Sequence, residues 1–171
     1  MADRPILIAG GGIGGLATAA GLAQNGFASL VLEQPGEFKK LAVAVAVDGK
    51  WTPAADGKGE PTYAPRTAEE IAQVPLGEDF RRHMGNPYAV VHRADLHKAL
   101  LDYCVASPLV ELRTSHKATG YEQDGNSVTL LLDGRDPITG SALIGAEGLH
   151  SPVRAQLVGD GAPRISGHTT Y

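Results

Sequence analysis

Residues Gly10 to Gly15 read Gly-Gly-Gly-Ile-Gly-Gly and directly follow the apolar run Pro5-Ile6-Leu7-Ile8-Ala9. Such a run followed by closely spaced glycines predicts a strand that turns sharply into a helix. The residues after the turn, Leu16 to Asn25, are rich in helix formers, and Gly26 stands where a left-handed C-terminal cap belongs. A second apolar run, Ser29-Leu30-Val31-Leu32, then ends in an acid, Glu33. Strand, glycine turn, helix, strand and acid have the spacing of a dinucleotide-binding βαβ unit. Each part has a task there. Gly10 permits the tight turn, Gly12 lets backbone approach a pyrophosphate, and Gly15 lets the helix lie close on the strand. The helix start, with Ile13 and Gly14, offers free N–H groups and a positive dipole end to phosphates. Glu33 can accept hydrogen bonds from both ribose hydroxyls, which favours FAD or NAD over NADP. The turn by itself leaves FAD and NAD both open.

Length and composition narrow the class. A chain of 171 residues suits one domain, 1–171, and can bury a core. A net charge of −4 and an aromatic content of 5% argue against a nucleic-acid partner or a polybasic membrane surface. Cys104 is the only cysteine, which excludes an internal disulfide and a thiolate metal cluster. The histidines at 83, 92, 97, 116, 150 and 168 show no ligand spacing and read as surface or helix residues. Cys104 falls at an apolar helical position and reads as core. No segment is long enough to span a bilayer, and the first apolar run is too short for a leader, so a cytoplasmic protein is expected.

Further along, Leu41 to Val47 alternates alanine and valine, with Asp48-Gly49 as a turn and Trp51 opening a return strand. Residues 53–66, with Pro53, Pro61 and Pro65, read as a polar loop. Thr67 to Ile71 reads as a capped helical turn stopped by Pro75. A strand is expected at Tyr88–His92, then a helix from Arg93 to Cys104 with apolar positions 96, 99, 100, 103 and 104. Leu109–Leu112 is a short strand. Tyr121–Gln123 and Ser127–Leu132 flank Asp124-Gly125-Asn126, and Asp133-Gly134 turns toward Ile138, which together predict a β-meander. Ala142-Leu143-Ile144 is a buried strand opening into Gly145-Ala146-Glu147-Gly148-Leu149-His150, and Ser151-Pro152 starts a helix.

Gly10-x-Gly12-x-x-Gly15 with Glu33, then His92-Arg93-Ala94-Asp95-Leu96, then Gly145 to Arg154 together resemble the FAD-binding domain of class A flavoprotein aromatic hydroxylases. The stretches Pro87–Arg93, Gly120–Asn126 and Val153–Gly161 resemble the 3-hydroxybenzoate 6-hydroxylase and salicylate hydroxylase group in particular. The resemblance covers roughly residues 4–34 and 74–171. It implies a Rossmann-like α/β fold of the GR2 type, a mainly parallel sheet with helices on both faces and a β-meander packed against it. It implies FAD as cofactor, NADH as electron donor, and O₂-dependent hydroxylation of a phenol ring. By motif matching, Gly10, Gly12, Ile13, Gly14, Gly15 and Glu33 would hold the ADP half. Arg93 would reach the pyrophosphate as a charge-assisted donor. Gly145, Glu147 and Gly148 would form the motif associated with both FAD and NAD(P)H, with Glu147 at the family's Asp position and Arg154 as its helix partner.

The chain also departs from that family. Residues 41–66 replace the family's glycine-rich segment beside the flavin ring, and the substrate-binding sheet and second FAD motif are absent from the sequence. The expectation is therefore a FAD-binding module without catalytic residues or a metal, incomplete as a hydroxylase, with self-association through the face that a substrate domain would cover. The alternatives are an NAD-binding Rossmann module and a scaffold with no ligand.

Overall fold

The computed structural model describes residues 4–38, 61–63, 70–73, 77–85 and 91–162. Its elements run β1 (Ile6–Ala9), α1 (Ile13–Gln24), β2 (Ser29–Leu32), β3 (Pro61–Tyr63), β4 (Glu70–Gln73), α2 (Glu78–Met84), α3 (Arg93–Ala106), β5 (Val110–Arg113), β6 (Ala118–Gln123), β7 (Val128–Leu132), β8 (Arg135–Gly140), β9 (Ala142–Gly145) and α4 (Pro152–Val158). The chain divides into two units, Met1–Leu41 with Leu96–Tyr171, and Ala42–Asp95.

In the first unit, β1 and β2 are short apolar strands buried on both faces, which is the pattern of a central parallel sheet. The sheet order is β5-β2-β1-β9, and every pairing is parallel. Strand alternation sorts the side chains. Leu7, Ala9, Leu30 and Leu32 share a core with Leu130 and Leu132 of β7 and Val153 of α4. Ile8 and Val31 join Leu16, Ala19 and Ala20 of α1 and Cys104 of α3 in the other core. The layers are thus α1 with α3, the parallel sheet, then the antiparallel β6-β7-β8 meander with α4. This is the α/β fold expected, with helices on both faces and the meander against one. Gly26 takes φ +81° just past α1, as its place in the sequence predicts. Cys104 is fully buried as a free thiol, burial holds its pKa above the ordinary thiol value, and Sγ donates to Leu16 O at 3.5 Å.

The inner face of α3 differs from expectation. His97 and Cys104 are buried, with Leu100 and Leu101 packed beside them, while Tyr103 is 41% exposed. The stripe is therefore 97, 100, 101 and 104. A polar residue can stand in it because His97 finds a hydrogen-bond partner inside.

In the second unit, β3 and β4 pair antiparallel, Thr62 opposite Ala72. This corrects the reading of residues 53–66 as all loop and of Thr67–Ile71 as a helical turn. One isolated turn is a poor helix nucleus, so strand pairing overrides the capping signal. Pro61, at the first strand position, is where a strand tolerates a missing N–H. The helix α2 was not expected. Its signals are local: Glu78 and Asp79 in the first turn, Arg81, Arg82 and His83 in the last, and Gly85 in the left-handed region at the C-cap. The stretch Leu41–Val47, Asp48-Gly49 and Trp51 lies outside the described residues, as does most of the strand expected at Tyr88–His92. Val91 and His92 are in neither strand nor helix.

Candidate functional site

The C-terminal ends of β2, β1 and β9 lie side by side, and β1 is where the chain's direction of winding changes. Open α/β sheets bind ligands at that switch point. Register brings the motifs together: Ala9 sits opposite Leu32 on one side and Gly145 on the other. The turn after β1 is tied to both neighbours, with Gly10 N donating to Leu32 O at 2.8 Å and Ala146 N donating to Ala9 O at 2.7 Å.

Two glycines of this turn are obligatory by geometry. Gly10 has φ +103°, and a Cβ there would stand 2.4 Å from Ala146 O. A Cβ on Gly15 would stand 1.9 Å from Gly10 O, so helix and turn touch backbone to backbone. A Cβ on Gly11 would meet side chains instead, the Phe38 ring and Glu33 Oε2. Gly12 and Gly14 are the opposite case. A Cβ on either meets nothing within 4 Å among the described residues. Gly12 is the N-cap of α1 and has no side chain to cap it, and the first turn holds no acid. The amides of Gly12, Ile13, Gly14 and Gly15 have no acceptor among the described residues; the first one engaged is Leu16 N, to Gly12 O at 3.0 Å. Open space facing a row of unpaired N–H groups at the positive end of a helix is a cradle for an anion.

Glu33 closes the turn on the β2 side. Its Oε2 accepts from Gly11 N–H, and Oε1 has no partner among the described residues. Its backbone is fixed by the end of β5 and the residues after it: Glu33 N donates to Arg113 O at 2.8 Å and His116 N to Glu33 O at 2.9 Å. One carboxylate oxygen thus holds the turn and the other is left to accept hydroxyls.

The third motif is a helix cap beside this turn. Ser151 Oγ accepts from Arg154 N at 3.0 Å and donates to Glu147 Oε2 at 2.7 Å, with Pro152 at the helix start. Gly148 takes φ +85° ahead of the cap, and a Cβ on Gly145 would stand 2.9 Å from Val153 Cγ1. Arg154 is not the side-chain partner of Glu147, contrary to expectation. Its guanidinium pairs with Asp160, while Glu147 is already engaged by the Ser151 hydroxyl. Arg93 is exposed at the first residue of α3 and belongs to the second unit.

His97 is the site residue that the sequence reading missed. It is 3% exposed, and its Nε2 lies 2.9 Å from Gly11 O. Its spacing to Leu101 and Cys104 was the available signal. Among the described residues, no group of His, Cys, Asp and Glu could hold a metal, and no helix is long and apolar enough to cross a membrane.

A parallel sheet with an uncapped glycine turn at its switch point defines a dinucleotide-binding domain of Rossmann type. Residues 3–168 match the family described as FAD binding domain, and the chain belongs to that family. It is 42% identical over 180 residues to 3-hydroxybenzoate 6-hydroxylase 1 of Aquipseudomonas alcaligenes, covering 97% of this chain and 46% of that protein. It is 40% identical over 184 residues to 3-hydroxybenzoate 6-hydroxylase of Polaromonas naphthalenivorans (strain CJ2), covering 99% and 46%. The fold is also that of p-nitrophenol 4-monooxygenase PnpA from Pseudomonas putida DLL-E4, with TM-score 0.69, 20% identity, and coverage of 91% and 44%. The chain spans about half the length of these curated relatives. It is an FAD-binding domain of the kind found in flavin-dependent aromatic hydroxylases.

Proposed function

We propose that this domain holds the ADP half of FAD on the Gly10–Gly15 turn and serves NADH- and O₂-dependent hydroxylation of a hydroxybenzoate ring. The observation that carries this reading is the cradle at Gly12 and Gly14, open among the described residues, with four amides beside it that have no acceptor among those residues. Those amides and the α1 dipole would neutralise a pyrophosphate. Glu33 Oε1 would accept the ribose hydroxyls, and its negative charge disfavours a ribose phosphate. Gly145, Glu147, Gly148 and Arg154 contribute by building the loop and cap that press Ala146 against Gly10. When bound, the flavin supplies the electron transfer and oxygen activation; the protein supplies binding and orientation. No residue of this chain is assigned a catalytic role. The whole of 1–171 is taken as one cofactor domain, with 41–66 as an atypical segment. The cytoplasm is its proposed compartment, in keeping with a buried free thiol at Cys104. Exposed Leu149, Leu157 and Val158 support self-association, which sedimentation at rising concentration tests.

The deciding experiment is a titration of the purified protein with FAD, followed by flavin fluorescence. Saturable binding is expected. Gly12→Ala should weaken it at least about tenfold while costing the fold no more than about 1 kcal/mol, because φ −72° suits alanine and its Cβ meets nothing among the described residues. No fluorescence change on titration would sink the reading. Tight NADH binding without any flavin response would favour an NAD module instead.

A further inference from the structure

The Gly11 residue is held at both ends. Its N–H donates to Glu33 Oε2, and its carbonyl faces His97 Nε2 at 2.9 Å. A carbonyl can only accept, so Nε2 carries the ring proton. These two contacts orient two successive peptide planes. All described peptide bonds are trans, and in a trans peptide the C=O and the following N–H point in opposite directions. Glu33 draws the Gly11 N–H one way, and Gly10 O accordingly turns the other way, toward Gly15, where an added Cβ would strike it at 1.9 Å. By the same geometry, His97 draws Gly11 O inward toward α3, and the Gly12 N–H must point outward. That amide has no acceptor among the described residues and begins the open cradle.

We infer that His97 is a positioning residue for the cofactor turn: its Nε2–H fixes the Gly11–Gly12 peptide so that the Gly12 amide faces the phosphate. The inference rests on the FAD reading above for its ligand. Burial gives the contact its weight. At 3% exposure, water cannot replace the imidazole as donor, so without it Gly11 O is left unsatisfied or the peptide turns over. A flipped peptide would present a carbonyl instead of an N–H to an anion. The imidazole reaches the turn from a helix far along the chain, on the same inner face as Leu100, Leu101 and Cys104.

Three variants test it in the full chain. His97→Leu keeps bulk without a donor and should weaken FAD binding about tenfold. His97→Gln places an amide NH₂ near the position of Nε2 and should restore affinity to within about twofold of the parent. Cys104→Ala loosens the same helix face two turns further along, where Sγ meets Leu16 O and not the Gly11–Gly12 peptide; it should lower the melting temperature and leave FAD affinity unchanged. If His97→Leu binds FAD as the parent does, or if Cys104→Ala loses as much affinity as His97→Leu, the positioning role is overturned. A ligand-free arm separates this from failure of the FAD reading. ¹⁵N spectra of the parent should show a proton on Nε2, and the Gly12 amide resonance should move in His97→Leu and return in His97→Gln. A proton on Nδ1 instead, or an unmoved Gly12 amide, overturns the inference whether or not FAD binds.

Discussion

At the scale of single residues, the same amino acid serves opposed ends within one turn. Gly10 and Gly15 are glycine because backbone occupies the place of a Cβ; Gly12 and Gly14 are glycine although no described residue fills that place. The G-x-G-x-x-G spacing announced the first, third and sixth positions from sequence alone. It did not announce Gly11, whose need for glycine comes from Phe38 and Glu33 closing over it, nor His97, whose partner is a backbone carbonyl distant in sequence. Contacts of that kind leave no local pattern. Ser29 is a second case. It reads as an ordinary strand residue, yet its Oγ is buried without a hydrogen-bond partner among the described residues. An orphan hydroxyl keeps its desolvation cost and returns nothing. Ser29→Ala should therefore leave stability unchanged or raise it by up to about 1 kcal/mol, as read from urea midpoints. A loss of more than about 1 kcal/mol would show that the hydroxyl has a partner after all.

At the scale of elements, α1 allows stability and binding to be pulled apart. Gly14 and Gly21 are both helical, and a Cβ on either meets nothing within 4 Å among the described residues. Replacing each with alanine should stabilise the ligand-free protein by about 0.5–1 kcal/mol through helix propensity. Only Gly14→Ala should also weaken FAD binding, because only its methyl enters the cradle. Equal FAD affinity for the two variants would place the phosphate elsewhere. The β6–β7 hairpin carries its own charge dependence. Asp124 Oδ1 accepts from Asn126 N at 2.8 Å and Ser127 N at 2.7 Å, and the Ser127 hydroxyl donates to the same carboxylate. These bonds favour the ionised form and hold its pKa below the ordinary carboxylate value. A lowered folded-state pKa stabilises the hairpin fully above the unfolded value, and that contribution is lost as pH falls through the lowered one. Asp124→Asn should flatten the part of the acid-unfolding profile below the usual Asp range; an unchanged profile would assign that limb to other carboxylates. The meander was legible because Asp-Gly turns and alternating strands are local signals. α2 was just as local, with its charged ends and Gly85, and was passed over. The β3–β4 pair was not legible, since its pairing competes with a capping signal in the same residues.

At the scale of the whole molecule, topology does what no motif can. β9 enters the sheet beside β1 from the far side of the meander, and this sets Ala146 against Gly10. The sequence held both motifs but not their adjacency, because strand order is decided by which faces can be covered together. The meander and Val153 cover one face of β1 and β2, while α1 and α3 cover the other. α4 is pinned in turn by Gln156, whose side chain accepts from Tyr121 N at 3.0 Å and donates to Tyr121 O at 2.7 Å, as a neighbouring strand would. The turn, the Glu147 cap and the sheet therefore form one cooperative object, so a ligand on the turn should stabilise all of it. If FAD binds only the native state, a concentration 100 times its Kd adds about 2.7 kcal/mol. For a domain of this size that is a rise in Tm of roughly 5–10 °C. The rise should grow with the logarithm of FAD concentration, be smaller for ADP, which lacks the flavin half, and be reduced in Gly12→Ala at the same concentration. Calorimetry of the purified chain with FAD, ADP and no ligand measures it. Coincident midpoints for all three would mean that the domain folds around a cradle it does not fill.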